Sequence, residues 1–452
     1  MRFCWALIIS VLVLVNASAA ERPPNILFIL IDDLGWMDLS VQGNPAVHTP
    51  RIDQLAREGM RFTDAYAAAP VCSPTRAAIL TGQAPARLHI TNHLPERKSF
   101  IPDHPKLLPA PVVDHLPSEK ITIAERLQEA GYATGFFGKW HLSGKGDGLP
   151  EFEPTAQGFD LNLGGNSWGG PRTFFDPYRM PNLPDRRKGE YLPDRLADEV
   201  ITFIKAKRDQ PFLVFLWNYT VHWPMEAPEP LLKKYENHKG PGLNDSRYGA
   251  MIEAMDTAIA RILDALDELH LRDETVVIFT SDNGGFGGVA DNRPLRGDKG
   301  HLYEGGIRVP LIVRWPGVVK PGTQCRAPVI SMDFYPTLLE VAGLKPTPDT
   351  PMDGETLLPL LKKTGPLTRR SLYFHYPNYA FHRSNRLGGA LRQGDFKLIE
   401  RFDDGSLELF NLAEDLSEKR NLARQNPDLA QRLAKDLQAW RREVNANMPT
   451  AP

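Results

Sequence analysis

Five short runs of β-branched and aromatic residues recur along the chain, and segments with helical spacing lie between them. The runs cover residues 25–31, 132–137, 211–217, 275–280 and 309–315. Apolar runs of this length, without polar alternation, are typical of parallel strands that are buried on both faces. Strands that alternate with helices predict an α/β fold with a large, mainly parallel sheet sandwiched by helices.

Helix boundary signals separate these runs. A helical run that follows Thr49 stops at Gly59, and another that begins at Thr122 ends at Gly131. Threonine is favoured at helix N-termini and glycine just past C-termini, so both segments are predicted to be helices. Residues 245–269 carry apolar residues at helical spacing and predict a further helix.

The chain changes character after residue 345. Residues 346–370 are rich in proline and polar residues and predict a linker or surface loop. Short alternating runs follow, and a helical segment covers roughly 426–444. We therefore expect a large first domain at 21–345 and, at 371–452, a smaller domain with a short antiparallel sheet and one packed helix.

Residues 1–20 predict an export signal. Arg2 supplies a positive charge, residues 3–15 form an apolar run too short to span a bilayer, and residues 17–20 are small. We expect the mature chain to begin near Glu21. The protein is then exported and has no stable membrane association.

Cysteine content and charge restrict the class of protein. Removal of Cys4 with the signal leaves Cys72 and Cys325, which excludes a disulfide framework but leaves a single bridge between them as an alternative. The formal net charge of -2 favours neither nucleic acid nor a membrane surface as a partner. Any attraction for an anion must therefore be local.

Polar residues follow four of the predicted strands at the point where each strand ends. In chain order they are Asp32 and Asp33, then Lys139 and His141, then Asn218 and His222, then Asp282 and Asn283. Because ligands bind at the carboxyl ends of strands in open α/β sheets, we expect these groups to face one crevice. Taken singly, each has a structural alternative. The aspartates could cap a helix, His222 could be packed within a loop, and Lys139 could be solvated. Their joint placement favours a site.

Four residues of this group supply only oxygen donors. They are Asp32, Asp33, Asp282 and Asn283. Carboxylate and amide oxygens suit calcium or magnesium, whereas zinc prefers histidine or cysteine. The sequence therefore predicts a site for a hard divalent cation.

Cys72 does not fit such a site as a thiol. Pro74 and Arg76 follow it in the spacing C-x-P-x-R, at a predicted helix start whose amide dipole points at the cysteine. A nucleophilic thiol needs a base and a lowered pKa. A soft thiolate is also a poor ligand for a hard cation.

The stretch CSPTRAAILTG at 72–82 resembles the signature of the type I sulfatases, whose cysteine is oxidised to formylglycine by a dedicated enzyme before folding. The similarity extends in the family's order through IDDLGW, GKWHL, TVHWP, SDNGG and RGDKGHLYEGGIRVPLIVRWPG. It covers residues 23–424 and includes the tail DFKLIE to NLA. The resemblance implies an alkaline-phosphatase-like fold and a catalytic sulfatase domain at 21–345.

The resemblance also implies a metal and a nucleophile. One calcium ion would be held by Asp32, Asp33, Asp282, Asn283 and the oxidised side chain of Cys72. The aldehyde, hydrated to a gem-diol, would attack sulfur and form a sulfo-enzyme intermediate, with Asp282 accepting a proton. The formylglycine-generating enzyme would be a partner during maturation.

Further roles follow from the same resemblance. Arg76, Lys139 and Lys299 would neutralise the sulfate, although a solvated loop position is the structural alternative for Lys299. His222, with Lys299, would protonate the departing alcohol, and His141 would remove the proton that drives sulfate release. The candidate substrate residues are Ser167, His93, Arg293 and Arg296, with Arg87, His89 and Arg97 in the loop at 84–117.

Two rival functions remain open from the sequence. One is a phosphate or phosphonate ester hydrolase of the same superfamily, and the other is a catalytically silent protein that binds sulfated glycans. The resemblance favours an exo-acting carbohydrate sulfatase on a galactose or N-acetylgalactosamine sulfate. The absence of a disulfide framework favours a bacterial periplasmic or secreted enzyme over a lysosomal one.

Overall fold

The structure is a computed structural model that describes residues 22–144, 149–238, 240–346, 350–381 and 384–452. The predicted export signal at 1–20 lies outside these ranges. Within them, no helix is long and apolar enough to cross a membrane.

Within the described ranges, nine strands form one mixed sheet. The strands are β1 Asn25–Ile31, β2 Met60–Tyr66, β3 Ala133–Gly138, β4 Leu161–Leu163, β5 Phe212–Asn218, β6 Thr275–Ser281, β7 Arg308–Arg314, β8 Thr323–Cys325 and β9 Val329–Ile330. Their order is β4-β3-β5-β1-β6-β7-β2-β8, and β9 also pairs with β2. All five predicted strands are present, and the prediction of a large, mainly parallel sheet is confirmed.

The register brings the carboxyl ends of four strands to one edge. β1 is parallel to both β5 and β6, and β3 is parallel to β5. β7 is antiparallel to β6 and to β2, so the prediction that 309–315 is a parallel strand was wrong in direction. β7 begins at the edge where β6 ends, because the loop between them does not cross the sheet. Burial on both faces does not encode strand direction.

Helices cover both faces of this sheet. They are α1 Pro50–Glu58, α2 Cys72–Thr81, α3 Pro85–Leu88, α4 Ile123–Glu129, α5 Leu192–Lys207, α6 Glu229–Tyr235, α7 Ser246–Glu268, α8 Glu304–Ile307, α9 Phe334–Val341 and α10 Leu358–Leu361. Alternate residues of β1 enter different cores: Leu27 and Ile29 face one cluster, Ile26 and Phe28 the other. The three predicted helices at α1, α4 and α7 are confirmed, and Thr122 forms a capping box at α4.

The C-terminal part is built as the sequence predicts. Strands β10 Ser371–Tyr376, β11 Gly388–Gln393, β12 Phe396–Arg401 and β13 Leu407–Asn411 form an antiparallel sheet, and α11 Pro427–Glu443 packs on it. The core of this sheet is continuous with apolar residues of the larger part, including Ile307 and Ile330. The boundaries at 345 and 371 stay predictions.

A buried ionic cluster joins the small sheet to the loop before β7. The Lys397 ammonium lies 2.9 Å from carboxylate oxygens of both Glu304 and Glu418, and all three side chains are buried. Glu418 accepts a hydrogen bond from the Glu304 amide at 2.7 Å, and its carbonyl accepts one from Arg296 at 2.8 Å. The C-terminal part therefore contacts Arg296 and Glu304, one on each side of Lys299 in the chain.

We predict that His375 makes the free energy of unfolding fall on acidification. Burial lowers its pKa to about 4, whereas the ordinary value is 6.5. The unfolded chain binds the proton and the folded chain does not, so this stability is present above about pH 6.5 and lost as the pH falls towards 4. Between pH 7 and pH 5, protonation of His375 in the unfolded chain should lower the free energy of unfolding by about 2 kcal/mol. Urea unfolding at both pH values should show a smaller loss in His375→Gln, and an equal loss would contradict the assignment.

Candidate active site

The predicted polar residues meet at one edge of the large sheet. Asp32 and Asp33 follow β1, Lys139 and His141 follow β3, His222 lies four residues past β5, and Asp282 and Asn283 follow β6. Parallel pairing of these strands places their ends side by side. Asp32, Asp282, Asn283 and Lys139 are completely buried, so the alternative of a solvated lysine at 139 does not hold.

Cys72 is the first residue of α2 and lies over the end of β1. Its Sγ is 3.5 Å from Asp32 Oδ1, and only 2% of the residue is exposed. Burial raises the pKa of the thiol to about 12, so it stays neutral at physiological pH. Cys72 and Cys325 are both free, and the alternative of a bridge between them is therefore wrong. An unmodified thiol here is a weak nucleophile.

Arg76 lies one helical turn after Cys72 and is fully buried. Its Nε and Nη2 both donate to Asp282 Oδ2, at 2.9 Å and 2.7 Å. Its Nη1 donates to the carbonyl of Lys139, and the guanidinium lies 5.4 Å from the Trp217 ring centroid. Arg76 therefore fixes the positions of α2 and of the ends of β3 and β6.

Two lysines neutralise the paired aspartates. Lys139 Nζ lies 2.7 Å from Asp32 Oδ2, and Lys299 Nζ lies 2.6 Å from Asp33 Oδ1. Burial raises the pKa of Asp32 to about 7, because its effect is larger than the opposite effect of the Lys139 charge. For Asp33, burial acts in the same direction, but Lys299 and then His222 hold its pKa below the usual range. Lys299 is nearly buried, so a solvated loop position does not describe it.

The residues fit a divalent cation. Ligand atoms of Asp32, Asp33, Cys72 and Asp282 all lie within 4.8 Å of one another. Asn283 donates through Nδ2 to Asp33 Oδ1 at 2.8 Å, whereas its buried Oδ1 has no hydrogen-bond partner among the described residues. A buried amide oxygen without a donor is costly unless a ligand satisfies it. Together the oxygens form a donor set suited to a hard metal ion.

Both candidate histidines are neutral in this arrangement. His141 Nε2 contacts the carbonyl of Leu94, which assigns the ring proton to Nε2, and its buried Nδ1 has no partner in the described part of the chain. Burial lowers the pKa of His141 well below its ordinary value. His222 Nδ1 lies 2.9 Å from the Trp223 carbonyl, and burial followed by Lys299 lowers its pKa to about 3. Each ring therefore offers one lone pair as a proton acceptor.

A cavity of about 800 Å³ opens above these residues. Cys72, His141, His222 and Lys299 line the bottom of the cavity. We call these residues the floor, together with the buried groups that they adjoin: Asp32, Asp33, Arg76, Lys139, Asp282 and Asn283. Among the predicted substrate residues, His93 and Ser167 line the wall, as does Arg97.

Four other predicted substrate residues do not line the cavity. Arg293 pairs with Asp291 at 2.5 Å, and Arg296 lies 3.9 Å from the Tyr303 ring centroid. Arg87 pairs with Asp353, and His89 bonds the Asn445 carbonyl. These four residues are close to site residues in the sequence but do not lie beside them in space. Their side chains instead bind carboxylates, carbonyls and rings nearby.

The structure adds aromatic residues that sequence reasoning missed. Trp168, Trp223, Phe286 and Phe381 line the cavity, and so does Arg172. The stretch GGNSWGGPR at 164–172 offered a signal, since a tryptophan and an arginine in a glycine-rich loop after a strand are candidates for ligand contacts.

Comparison with known proteins assigns this arrangement to a family. Residues 24–344, which contain the whole floor of the cavity, match the family model described as Sulfatase. The chain belongs to the sulfatase family. Residues 297–443 of this sulfatase also match a model described as N-sulphoglucosamine sulphohydrolase, C-terminal.

Individual relatives agree with that assignment. A protein described as Sulfatase from Formosa agariphila is 32% identical, over 95% of this chain and 90% of its own length. The N-acetylgalactosamine-6-sulfatase of Homo sapiens is 35% identical over 80% of this chain and 70% of its own. The crystal structure of Ps i-CgsB in complex with k-i-k-neocarrahexaose is 29% identical, covers 93% of both chains and has a TM-score of 0.80. The protein is a sulfuric ester hydrolase, as its sequence predicts.

Proposed function

We propose that this sulfatase removes sulfate from a galactose or N-acetylgalactosamine residue at the end of a sulfated carbohydrate. The observation that carries the proposal is the cavity, whose floor combines Cys72, Lys299 and two neutral histidines. Its volume of about 800 Å³ is in the range of small-molecule sites and admits a sugar. Relatives named for N-acetylgalactosamine sulfate and a neighbour bound to neocarrahexaose support the choice of sugar.

Calcium is the proposed metal. Asp32, Asp33, Asp282 and Asn283 would hold it together with residue 72, and their donor atoms are all oxygens apart from the sulfur that oxidation removes. A bound ion would polarise the sulfate oxygens and help to orient the ester.

Residue 72 is proposed to act as formylglycine rather than as a thiol. Cys72 is buried, and its raised pKa makes the thiol a poor nucleophile. Because the folded chain leaves only 2% of Cys72 exposed, a formylglycine-generating enzyme must oxidise it before folding is complete. The predicted signal at 1–20 supports maturation during export to the periplasm or the medium.

The remaining floor residues move charge and protons. Lys299 and Lys139 offset the negative charge of the sulfate, and Arg76 holds Asp282 in position to accept a proton. Nδ1 of His141 has no hydrogen-bond partner among the described residues and acts as the base that drives sulfate release. His222 Nε2 lies 3.8 Å from Asp33 Oδ2; an anionic ester bound beside it raises its pKa, so that it can protonate the departing alcohol.

The function is tested by comparing kcat/KM on matched esters. An aryl sulfate should be hydrolysed at least about 100-fold faster than the corresponding aryl phosphate. The charges of Lys139 and Lys299 are already set against aspartates, so a site with a single metal ion suits a singly charged ester better than a doubly charged one. A faster phosphate or phosphonate reaction would instead support that rival. Binding of a sulfated galactoside without turnover, by chains fully oxidised at residue 72, would support a silent glycan-binding protein. A preference for glucosamine or uronate sulfates would contradict the sugar assignment.

Calcium removal should inactivate and destabilise the enzyme. Chelation leaves Asp32, Asp33 and Asp282 close together in a buried site, so we expect a lower melting temperature and loss of sulfate release, both reversed by calcium. Saturation at 100 times Kd contributes about 2.7 kcal/mol to folding. Asn283→Ala removes the unpaired oxygen and should weaken the calcium dependence of the melting temperature. An unchanged calcium titration in that variant would contradict the ligand assignment.

A further inference from the structure

The cavity wall carries two cations that the floor does not use. Arg97 and Arg172 both line the cavity and are exposed to solvent. Neither forms an ion pair within the described ranges, in contrast to Arg76, Lys139 and Lys299. None of the described residues that line the cavity is Asp or Glu. Among the described residues of the wall, the positive charge is therefore uncompensated.

Each guanidinium lies against an aromatic ring of the same wall. The Arg172 guanidinium carbon lies 4.7 Å from the Trp168 ring centroid, and that of Arg97 lies 5.9 Å from the Phe100 ring centroid. Stacking on a ring limits the freedom of a long side chain and leaves its in-plane N–H groups available to bind a ligand. A solvated arginine on a convex surface has neither the stacking ring nor the enclosing wall.

The floor already accounts for the scissile sulfate. The charges of Lys139, Lys299 and Arg76 are set against three buried carboxylates, and the cation site completes that group. The wall arginines come from different loops, at 84–117 and at 164–175, and line a cavity large enough for more than one sugar ring.

We infer that Arg97 and Arg172 form a second anion subsite, which binds a sulfate or carboxylate group on the sugar adjoining the one that is desulfated. This inference rests on the proposed function. The substrate is then an oligosaccharide with at least two anionic groups. The planar guanidinium groups bind an oxyanion through paired hydrogen bonds, and Trp168 packs against the sugar face.

The test uses three disaccharides with the same terminal sulfated galactose and a different neighbouring sugar: neutral, uronic acid or sulfated. The wild-type enzyme, oxidised at residue 72 and loaded with calcium, should prefer an anionic neighbour by about tenfold or more in kcat/KM. Arg97→Gln and Arg172→Gln should each reduce that preference mainly through KM, and the double variant should abolish it. Turnover of the neutral disaccharide should fall much less than turnover of the anionic ones, so the ratio of the two isolates the contribution of the second anion subsite. The ratio of the uronate to the sulfated substrate identifies the anion.

A charge-matched variant outside the cavity and a salt series show whether the preference depends on these two arginines and on their charge. Arg432→Gln makes the same change of net charge on α11, outside the cavity lining, and should leave the preference intact. The preference should fall as salt is raised in the wild type but not in the double variant, because exposed charge contacts are screened. A preference that survives in the double variant, or a wild type that favours the neutral neighbour, overturns the inference. Failure to release sulfate from all three disaccharides instead overturns the proposed function.

Discussion

Replacing Cys72 with alanine should lower kcat/KM for sulfate release by about 10,000-fold or more. Residue 72 lies at the first turn of α2, above the oxygen cluster, and no other described residue on the cavity floor has a thiol or hydroxyl that could replace it. Calcium binding and the melting temperature should change little by comparison, because three carboxylates and Asn283 remain. The measurement is steady-state sulfate release beside a thermal melt in calcium.

The serine variant tests whether catalysis requires the aldehyde at residue 72 or only a nucleophile at that position. Cys72→Ser should release at most one equivalent of alcohol per enzyme and then stop, because its sulfate ester has no second hydroxyl from which His141 can take a proton. A burst of alcohol without matching sulfate is the expected signature. Cys325→Ser is the matched control and should retain full activity, since Cys325 lies on β8 and does not line the cavity. Sustained turnover by Cys72→Ser would contradict the mechanism.

Replacing Lys299 with alanine should lower kcat/KM by about 100- to 1,000-fold, the range for removal of one preorganised charge-stabilising donor. Among the described residues that line the cavity, Lys299 is the one lysine, and its Nζ lies 2.6 Å from Asp33 Oδ1. Its loss removes positive charge from the sulfate site and leaves the Asp33 carboxylate without its closest cation. The effect should be present in kcat as well as in KM if the charge acts on the transition state.

A conservative variant distinguishes charge from packing. Lys299→Arg keeps the charge and should recover part of the loss, whereas Lys299→Met keeps the length without the charge and should resemble alanine. Melting temperatures in calcium show whether any of the three has unfolded, because an unpaired buried carboxylate is itself destabilising. Equal activity of the methionine variant and the wild type would contradict the role of this lysine.

Much of the fold follows from local sequence pattern, but strand direction does not. The buried runs that become β1, β3, β5 and β6 identify themselves by composition, and Thr122 identifies the start of α4. β2, Met60–Tyr66, is not predicted from its sequence, because Arg61, Thr63 and Asp64 interrupt its apolar pattern at half-buried positions. Its pairing with β7 depends on tertiary context, as does the reversal of β7.

The floor of the site can be predicted from the sequence, because its residues follow strands whose ends converge. The walls cannot be predicted in this way, because their residues lie on loops. Asp32, Lys139 and Asp282 follow strands whose parallel pairing fixes their relative positions. Arg293 and Arg172 both lie on loops, and only their local partners decide which of them lines the cavity. Asp291 binds the first, and Trp168 stacks with the second.

Whether residue 72 acts as an aldehyde is decided by measuring sulfate release against the oxidised fraction of residue 72. Enzyme prepared with and without a formylglycine-generating enzyme supplies chains of different oxidation, and the mass of the peptide that contains residue 72 gives the fraction in each. We expect the sulfate released from a sulfated galactoside in calcium to be proportional to the aldehyde fraction and absent at zero oxidation. Equal release from chains that retain the Cys72 thiol, or no release from fully oxidised chains, would contradict it.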